Sequence, residues 1–265
     1  MTILVTNDDG IEAEGLWALV RELRSLAPVM VVAPDKEQSA IGTAVTLYRR
    51  LGIRRIETPL PAVEAYSVAG TPSDCVIVGL SMLGGQKVGM VVSGINHGAN
   101  LGDDVLISGT VAGALQGYLK GLHAVAVSIE RAERYFMDTA ARLTGRLCRW
   151  IGGNSLTGGV FLNVNVPNLP VEQVRGVKIT RLARGTHTDV AEAEDDGSLR
   201  YYWLVRQRNG GVVDGQTDIG VVEQGNISIT PLHTDWLNRA APVIPEDLSH
   251  DLFEGLGEPG ALELN

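Results

Sequence analysis

Two adjacent carboxylates, Asp8-Asp9, follow directly on an apolar, β-branched run, Thr2-Ile3-Leu4-Val5-Thr6, and Gly10 then lets the chain turn away. Such a run reads as a buried strand opening an α/β sheet. The carboxyl end of a strand of this kind stands in the crevice where open α/β sheets bind ligands. Successive residues at a strand end point in roughly opposite directions, so both carboxylates face one ligand only where the backbone turns. Two like charges brought that close favour a cation between them, and hard carboxylate oxygens select Mg²⁺, Mn²⁺ or Ca²⁺ over softer metals. A solvated Asx turn capping the next helix accounts for the same residues without a metal.

Three further stretches carry candidate chemistry. Ser39 stands near the start of a Ser/Gly/Thr-bearing loop over 36–46, where it either faces Asp8 and Asp9 or is only a turn residue. The stretch Ser93-Gly94-Ile95-Asn96-His97-Gly98-Ala99-Asn100-Leu101-Gly102-Asp103-Asp104 follows another buried strand, and its glycines allow close backbone approach to a ligand. Asn96 there offers a neutral carbonyl oxygen to a cation held by Asp8 and Asp9, whereas a loop His such as His97 reads as a hydrogen-bonding or surface residue. Ser108-Gly109-Thr110 opens a helix, and its backbone N–H groups, two hydroxyls and positive helix end suit a phosphate. An ordinary Ser/Thr cap explains that turn equally well. No Walker lysine follows, so it is not a P-loop.

Composition narrows the classes. At 265 residues the chain is long enough for one large domain or a core with an appendage, and 45% hydrophobic residues with 32 glycines suit a tightly turning α/β protein. A net charge of −9 argues against general electrostatic attraction to a nucleic-acid duplex. Cys75 and Cys148 form no CxxC or Cys/His cluster, so neither a disulfide scaffold nor a zinc site is expected, and a reducing cytoplasm is. Met1 leads straight into a strand with no basic region and apolar stretch, so no secretory signal is expected. No apolar run approaches the length needed to span a membrane.

The elements that must position these residues follow from periodicity. An amphipathic helix is expected over 11–26 and a second buried strand over 29–33, a βαβ unit with parallel strands. Residues 47–69 alternate loosely, as excursion strands around Pro59 and Pro61. Thr71 caps a helix with Pro72 at its first position, Asp74 in its first turn, and a stop at Gly84-Gly85. Strands are expected over 88–92, 125–129 and 160–166, and helices over 108–120 and 135–151. The last of these places Phe136, Ala140, Leu143, Leu147 and Trp150 on a core side. Beyond 170 the texture changes. Residues 174–182 and 200–205 alternate like an antiparallel hairpin arm with an acidic tip, Thr217-Asp218 caps a short helix, and 226–230 returns as a strand. The last 25 or so residues, rich in Pro and Gly, read as a loosely held tail.

Parallel strands put their carboxyl ends on one edge, and Asp8, Asp9, Ser39, Asn96 and the 108–110 turn all leave such ends. Two carboxylates with neutral oxygens suit a six-coordinate Mg²⁺ or Mn²⁺ that keeps several waters. Such a metal polarises a phosphoryl oxygen and activates a water while the helix start holds the remaining oxygens. These residues therefore read as a metal-dependent phosphohydrolase.

The same motifs resemble the SurE (survival protein E) nucleotidases: Asn7-Asp8-Asp9-Gly10, Val31-Val32-Ala33-Pro34-Asp35 leading to Ser39, Gly70-Thr71-Pro72 with Asp74-Cys75, and Ser93-Gly94-Ile95-Asn96-His97-Gly98-Ala99-Asn100. So do Ser108-Gly109-Thr110-Val111, Asn163-Val164-Asn165-Val166-Pro167 and Ser228-Ile229-Thr230-Pro231-Leu232, in that order, over 1 to about 235. The resemblance implies a cytoplasmic 5′/3′-nucleotidase acting on nucleoside monophosphates, some members also trimming short polyphosphate. It implies one divalent metal ion, Mg²⁺ or Mn²⁺, per subunit, with ligands matching Asp8, Asp9, Ser39 and Asn96. It implies a Rossmann-like α/β/α core, here residues 1–170, and a C-terminal part, 171–265, used in homodimer or homotetramer assembly. Within that part a projecting hairpin is expected over about 174–210 and a return to the core over about 217–235. The expected catalytic set is Asp8, Asp9, Asn96, Ser108 and Thr110, with Ser108, Gly109 and Thr110 cradling the phosphate. Ala40 stands where many members have Gly, Ala112-Gly113 where Gly-Ala is usual, and Gln116 replaces a common acidic residue.

Three other readings compete. A non-catalytic Mg²⁺-binding nucleotide sensor is one that steady-state phosphate release would exclude. A receiver-type signalling domain also keeps an acidic pair after its first strand. A receiver, however, needs a phospho-accepting Asp where this chain has Ser93-Gly94-Ile95-Asn96. An aspartyl-phosphatase spaces its two Asp by one residue, unlike Asp8-Asp9.

Overall fold

A computed structural model describes residues 2–84, 87–154, 158–184, 187–195, 200–208 and 214–233. Its framework is a nine-stranded sheet built, in chain order, from β1 (Thr2–Thr6), β2 (Val29–Pro34), β3 (Ile53–Ile56), β4 (Glu64–Val68), β5 (Val88–His97), β6 (His123–Ile129), β7 (Phe161–Val166), β8 (Val177–Ile179) and β11 (Ile227–Leu232). The spatial order is β3-β4-β2-β1-β5-β6-β7-β11-β8. The six strands from β4 to β7 are mutually parallel; β3 and β11 run antiparallel to their inner neighbours.

Helices α1 (Glu14–Leu23), α2 (Pro72–Leu83), α3 (Gly109–Tyr118) and α4 (Met137–Gly153) cover the sheet, giving the three-layer α/β/α fold. Side-chain alternation along β1 decides which face each residue serves. Ile3 and Val5 join the core under α1 and α4, while Leu4 joins that under α2. Connections leave β1 toward β2 on one side and return to β5 on the other, so the strand order reverses between β1 and β5. Crevices at such reversals are where open α/β sheets bind ligands.

Several expectations shift. Strand β5 runs five residues past Val92, because pairing to β6 resumes after a register shift and sets Asn96 opposite Ser128. Helix α4 turns Ala140, Leu143 and Leu147 to the core as periodicity suggests, but its buried face is centred on Met137, Ala140, Ala141, Thr144, Cys148 and Ile151, so Phe136 and Trp150 at the edges of the expected stripe are 38% and 56% exposed. Its inward face is lined with small residues because α4 packs closely against α1.

The C-terminal part differs in pairing. Val177–Ile179 lies on the main sheet, parallel to β11, rather than in the arm. The arm is β9 (His187–Asp195) against β10 (Arg200–Arg208), antiparallel from Arg200 opposite Asp195 to Arg208 opposite His187. The edge of β11 offers backbone groups that pair with the short β8. Helix α5 (Asp218–Glu223) follows, capped by the Thr217 hydroxyl. The arm's acidic tip from Asp196 and the C-terminal tail lie outside the described residues.

Candidate active site

The turn after β1 is fixed by its own residues. Gly10 adopts φ 102°, a conformation favouring glycine, and the Asn7 amide donates to the Gly10 carbonyl at 2.8 Å. The Gln38 N–H donates to the Asp8 carbonyl at 2.8 Å, so the loop after β2 is pinned to the same turn. The backbone therefore does turn there, and both Asp8 and Asp9 reach one cavity of about 830 Å³, which Ser39, Asn96 and Ser108 also line.

Asp8 is buried at 5% exposure, and the start of α3 packs on it. The Thr110 hydroxyl donates to Asp8 Oδ1. A Cβ at Gly109 would come within 2.8 Å of the Asp8 Cβ, so only glycine permits this approach. Burial raises the Asp8 carboxyl to about 6, with the Thr110 hydroxyl opposing and the Asp9 charge adding to the rise. Burial likewise raises Asp9 to about 6, opposed by the His97 backbone N–H and by Arg131. Asp9 Oδ2 is buried with no hydrogen-bond partner among the described residues.

The neutral oxygens come from neighbouring strand ends. The Asn96 amide nitrogen donates to the Gly98 carbonyl at 2.5 Å, which leaves its carbonyl oxygen as an acceptor. The Ser39 hydroxyl donates to Glu37 Oε1 at 2.5 Å and keeps its lone pairs. Ala40, next along, holds φ 53° in the region that favours glycine, so the turn carrying Ser39 is strained. Two carboxylates, an amide oxygen and a hydroxyl around one cavity are a hard, oxygen-only set suited to Mg²⁺ or Mn²⁺. Among the described residues no group of three His, Cys, Asp or Glu gathers as a metal cluster.

At the 108–110 turn, both hydroxyls are engaged within the protein. The Ser108 hydroxyl accepts from the Val111 N–H at 3.1 Å as the helix cap, and Thr110 is turned to Asp8. Of the three residues only Ser108 lines the cavity.

Buried polar side chains hold the loop after β5. The Asn163 and Asn165 amides donate to the Asn100 carbonyl at 2.8 and 3.0 Å, and the Asn100 N–H and side chain bond Asn165 and Ser128. The Asp218 carboxylate, fully buried, accepts the N–H groups of Gly102, Ala183 and Ile219 at 2.7, 2.9 and 2.9 Å.

Some cavity residues carry no sequence signal of a site. Arg206, from the arm, bonds Asp104 at 2.7 Å and Asp189 at 2.8 Å beside the cavity, a contact across 102 positions. Arg131 and Tyr135 line it too, and both follow the carboxyl end of β6, the same edge that identifies Asp8 and Asn96. His97 stacks on Tyr135, ring centroids 4.7 Å apart, with Nδ1 3.6 Å from Asp9.

The family profile described as Survival protein SurE matches residues 3–189. The protein named 5'-nucleotidase SurE from Dehalococcoides mccartyi (strain ATCC BAA-2100 / JCM 16839 / KCTC 5957 / BAV1) is 49% identical over 235 residues, 88% of this chain and 89% of that one. The one of the same name from Moorella thermoacetica is 44% identical over 239 residues, 90% and 92% of the two chains. The crystal structure of the Sure protein from Aquifex aeolicus superposes with a TM-score of 0.78 at 32% identity, covering 97% of this chain and all of that one. With its parallel sheet, its acidic turn after β1 and a profile match over most of its length, this chain belongs to the SurE family.

Proposed function

We propose that this chain is a metal-dependent phosphomonoesterase that removes phosphate from nucleoside 5′- and 3′-monophosphates, with short polyphosphate a further substrate. The observation that carries the reading is the pair Asp8 and Asp9, a buried and a half-buried carboxylate at one cavity, with Asp9 Oδ2 lacking a partner among the described residues. The names of the relatives support the substrate class.

In this reading Asp8, Asp9, Ser39 and Asn96 hold one Mg²⁺ or Mn²⁺ per subunit. Such an ion, when bound, polarises a phosphoryl oxygen and lowers the pKa of water. Asp8 and Asp9 supply all the ligand charge, and Thr110 fixes the rotamer of Asp8. The start of α3 turns its positive end toward the phosphoryl group, with Ser108 at the cavity wall. Arg131 adds a cationic group at the cavity of a chain that is acidic overall.

We place the enzyme in the cytoplasm, because Cys75 and Cys148 are unpaired and buried, as suits a reducing compartment. Among the described residues no helix is long and apolar enough to cross a membrane. We further propose a homodimer or homotetramer built through the β9–β10 arm.

The test is phosphate release from a panel of nucleotides after chelation, with Mg²⁺ and Mn²⁺ restored separately. Activity that returns with metal supports the reading. Full activity in excess EDTA, or binding of nucleotide with no release of phosphate, overturns it in favour of a metal-free enzyme or a sensor.

A further inference from the structure

The connection leaving β6 brings Arg131 and Tyr135 to the cavity, and the SurE-like motifs above do not include either residue. The Tyr135 ring lies against the His97 ring at 4.7 Å and an interplanar angle of 27°. Both rings are half-buried and both line the cavity. His97 Nδ1 is 3.6 Å from Asp9, so this aromatic pair stands immediately beside the carboxylates. Arg131 is exposed, and its charge acts on Asp9 and His97.

We infer that the Tyr135–His97 stack is the docking platform for the base of the substrate, with Tyr135 as its specificity-determining residue. The inference rests on the nucleotidase reading and names the part of the site that tells a nucleotide from a bare sugar phosphate. Around Asp8 and Asp9 the cavity wall is mainly carboxylate, amide and hydroxyl, which suits a cation and phosphate, and its apolar members Ala40, Ala99 and Ile107 offer no ring for a base to stack on. The paired rings supply the flat, polarisable surface that a base requires, beside the Asp9 carboxylate. Every base has a π-face, so stacking of this kind discriminates base from no base and is tolerant between bases. A cavity of about 830 Å³ has room for a whole nucleoside monophosphate.

The experiment compares kcat/KM for adenosine 5′-monophosphate and ribose 5-phosphate, using the full-length, metal-loaded enzyme. The two substrates share phosphate and sugar and differ at the base. The wild-type chain should prefer the nucleotide by about tenfold or more, as stacking on an aromatic ring gives. Tyr135→Leu should bring that ratio down about tenfold, through KM rather than kcat, and Tyr135→Phe should keep it. Because Tyr135 also packs against the core, Tyr135→Trp provides a readout that does not depend on truncation. The introduced indole should be quenched by the nucleotide and not by ribose 5-phosphate. A wild-type ratio near one, an unchanged ratio in Tyr135→Leu, or equal quenching by both ligands overturns the platform. Release of phosphate from neither substrate overturns the phosphatase reading itself.

Discussion

The Thr110 hydroxyl is bonded to Oδ1 of Asp8, joining the first turn of α3 to the end of β1 across 102 positions. A hydroxyl donor on a carboxylate favours its charged form, and at Asp8 it opposes the rise caused by burial. Thr110→Val removes that donor and keeps the shape. The Asp8 carboxyl should then titrate still higher, metal affinity at neutral pH should fall, and kcat should drop by about tenfold or more. Isothermal titration with Mn²⁺ beside steady-state kinetics checks this; unchanged metal affinity in the variant would return Thr110 to an ordinary helix residue.

The raised carboxyls of Asp8 and Asp9, each at about 6 against an ordinary 3.8, fix the sign of a pH effect on stability. Between those values the folded chain holds protons that the unfolded chain has released, so stability falls as pH rises through the window. Above it both carboxylates are ionised and the metal-free fold carries the full cost, on the order of 3 kcal/mol for one such carboxyl and less than twice that for the pair, because the Asp8 rise already includes the Asp9 charge. Metal-free protein should therefore melt higher near pH 5 than near neutrality, and divalent metal should recover the difference at neutral pH. Asp8→Asn should flatten this dependence and raise the metal-free Tm while nearly abolishing turnover. A melting temperature no higher at the lower pH, or a variant that stays fully active, contradicts it.

Ala40 at φ 53° carries a cost that glycine would not, of about 1 kcal/mol. Ala40→Gly should relieve it, partly offset by the greater freedom glycine gives the unfolded chain. The expected net is a gain of a few tenths to about 1 kcal/mol in urea unfolding. The Ser39 turn then loosens, so kcat should fall or KM rise modestly. A destabilised variant with unchanged kinetics would show that the turn is not strained.

Much of this arrangement is legible before any coordinates. Asp8, Asp9, Ser39 and Asn96 leave strand ends, and parallel strands bring such ends together whatever the side-chain detail. The face α4 buries is legible only in part: Ala140, Leu143 and Leu147 meet the core as their spacing suggests, while the small residues Ala141, Thr144 and Gly145 are buried as well, and hydrophobicity alone does not mark them. Nor is the arm's register: 174–182 and 187–195 alternate alike, and only the open edge of β11 decides which of them joins the sheet. Arg206 reaches the cavity through that same tertiary choice, so no local pattern marks it.

Asp218 ties three backbone N–H groups, from the site loop at Gly102, from Ala183 below the arm and from its own helix start. Burial pushes its carboxyl up and those donors hold it down. Asp218→Asn replaces one acceptor oxygen by an NH₂ that must face a donor. The expected cost is about 2 kcal/mol or more, from buried N–H groups left unpaired. Hydrogen exchange should quicken at Gly102 and Ala183 together, since one carboxylate serves both. Faster exchange at only one of them would separate the site loop from the arm.

The arm formed by β9 and β10 exposes Tyr201 at 46%, Tyr202 at 59%, Trp203 at 63% and Leu204 at 82%. Alternation puts Tyr202 and Leu204 on one face and Tyr201 and Trp203 on the other, so both faces carry apolar area. A two-stranded ribbon has two edges and is marginal in water by itself. The Arg206 contact with Asp104 fixes its base without covering those rings. A second copy of the chain burying the arm removes the cost of both, and closed two-fold symmetry is the simplest arrangement that does so. Purified protein should therefore be at least a dimer by light scattering. Trp203→Ser with Leu204→Ser should shift it toward monomer, leaving the sheet and its cavity folded. A mass near 28.3 kDa for the unaltered chain at micromolar concentration, or an assembly indifferent to removal of 187–208, would show that the arm serves something other than self-association.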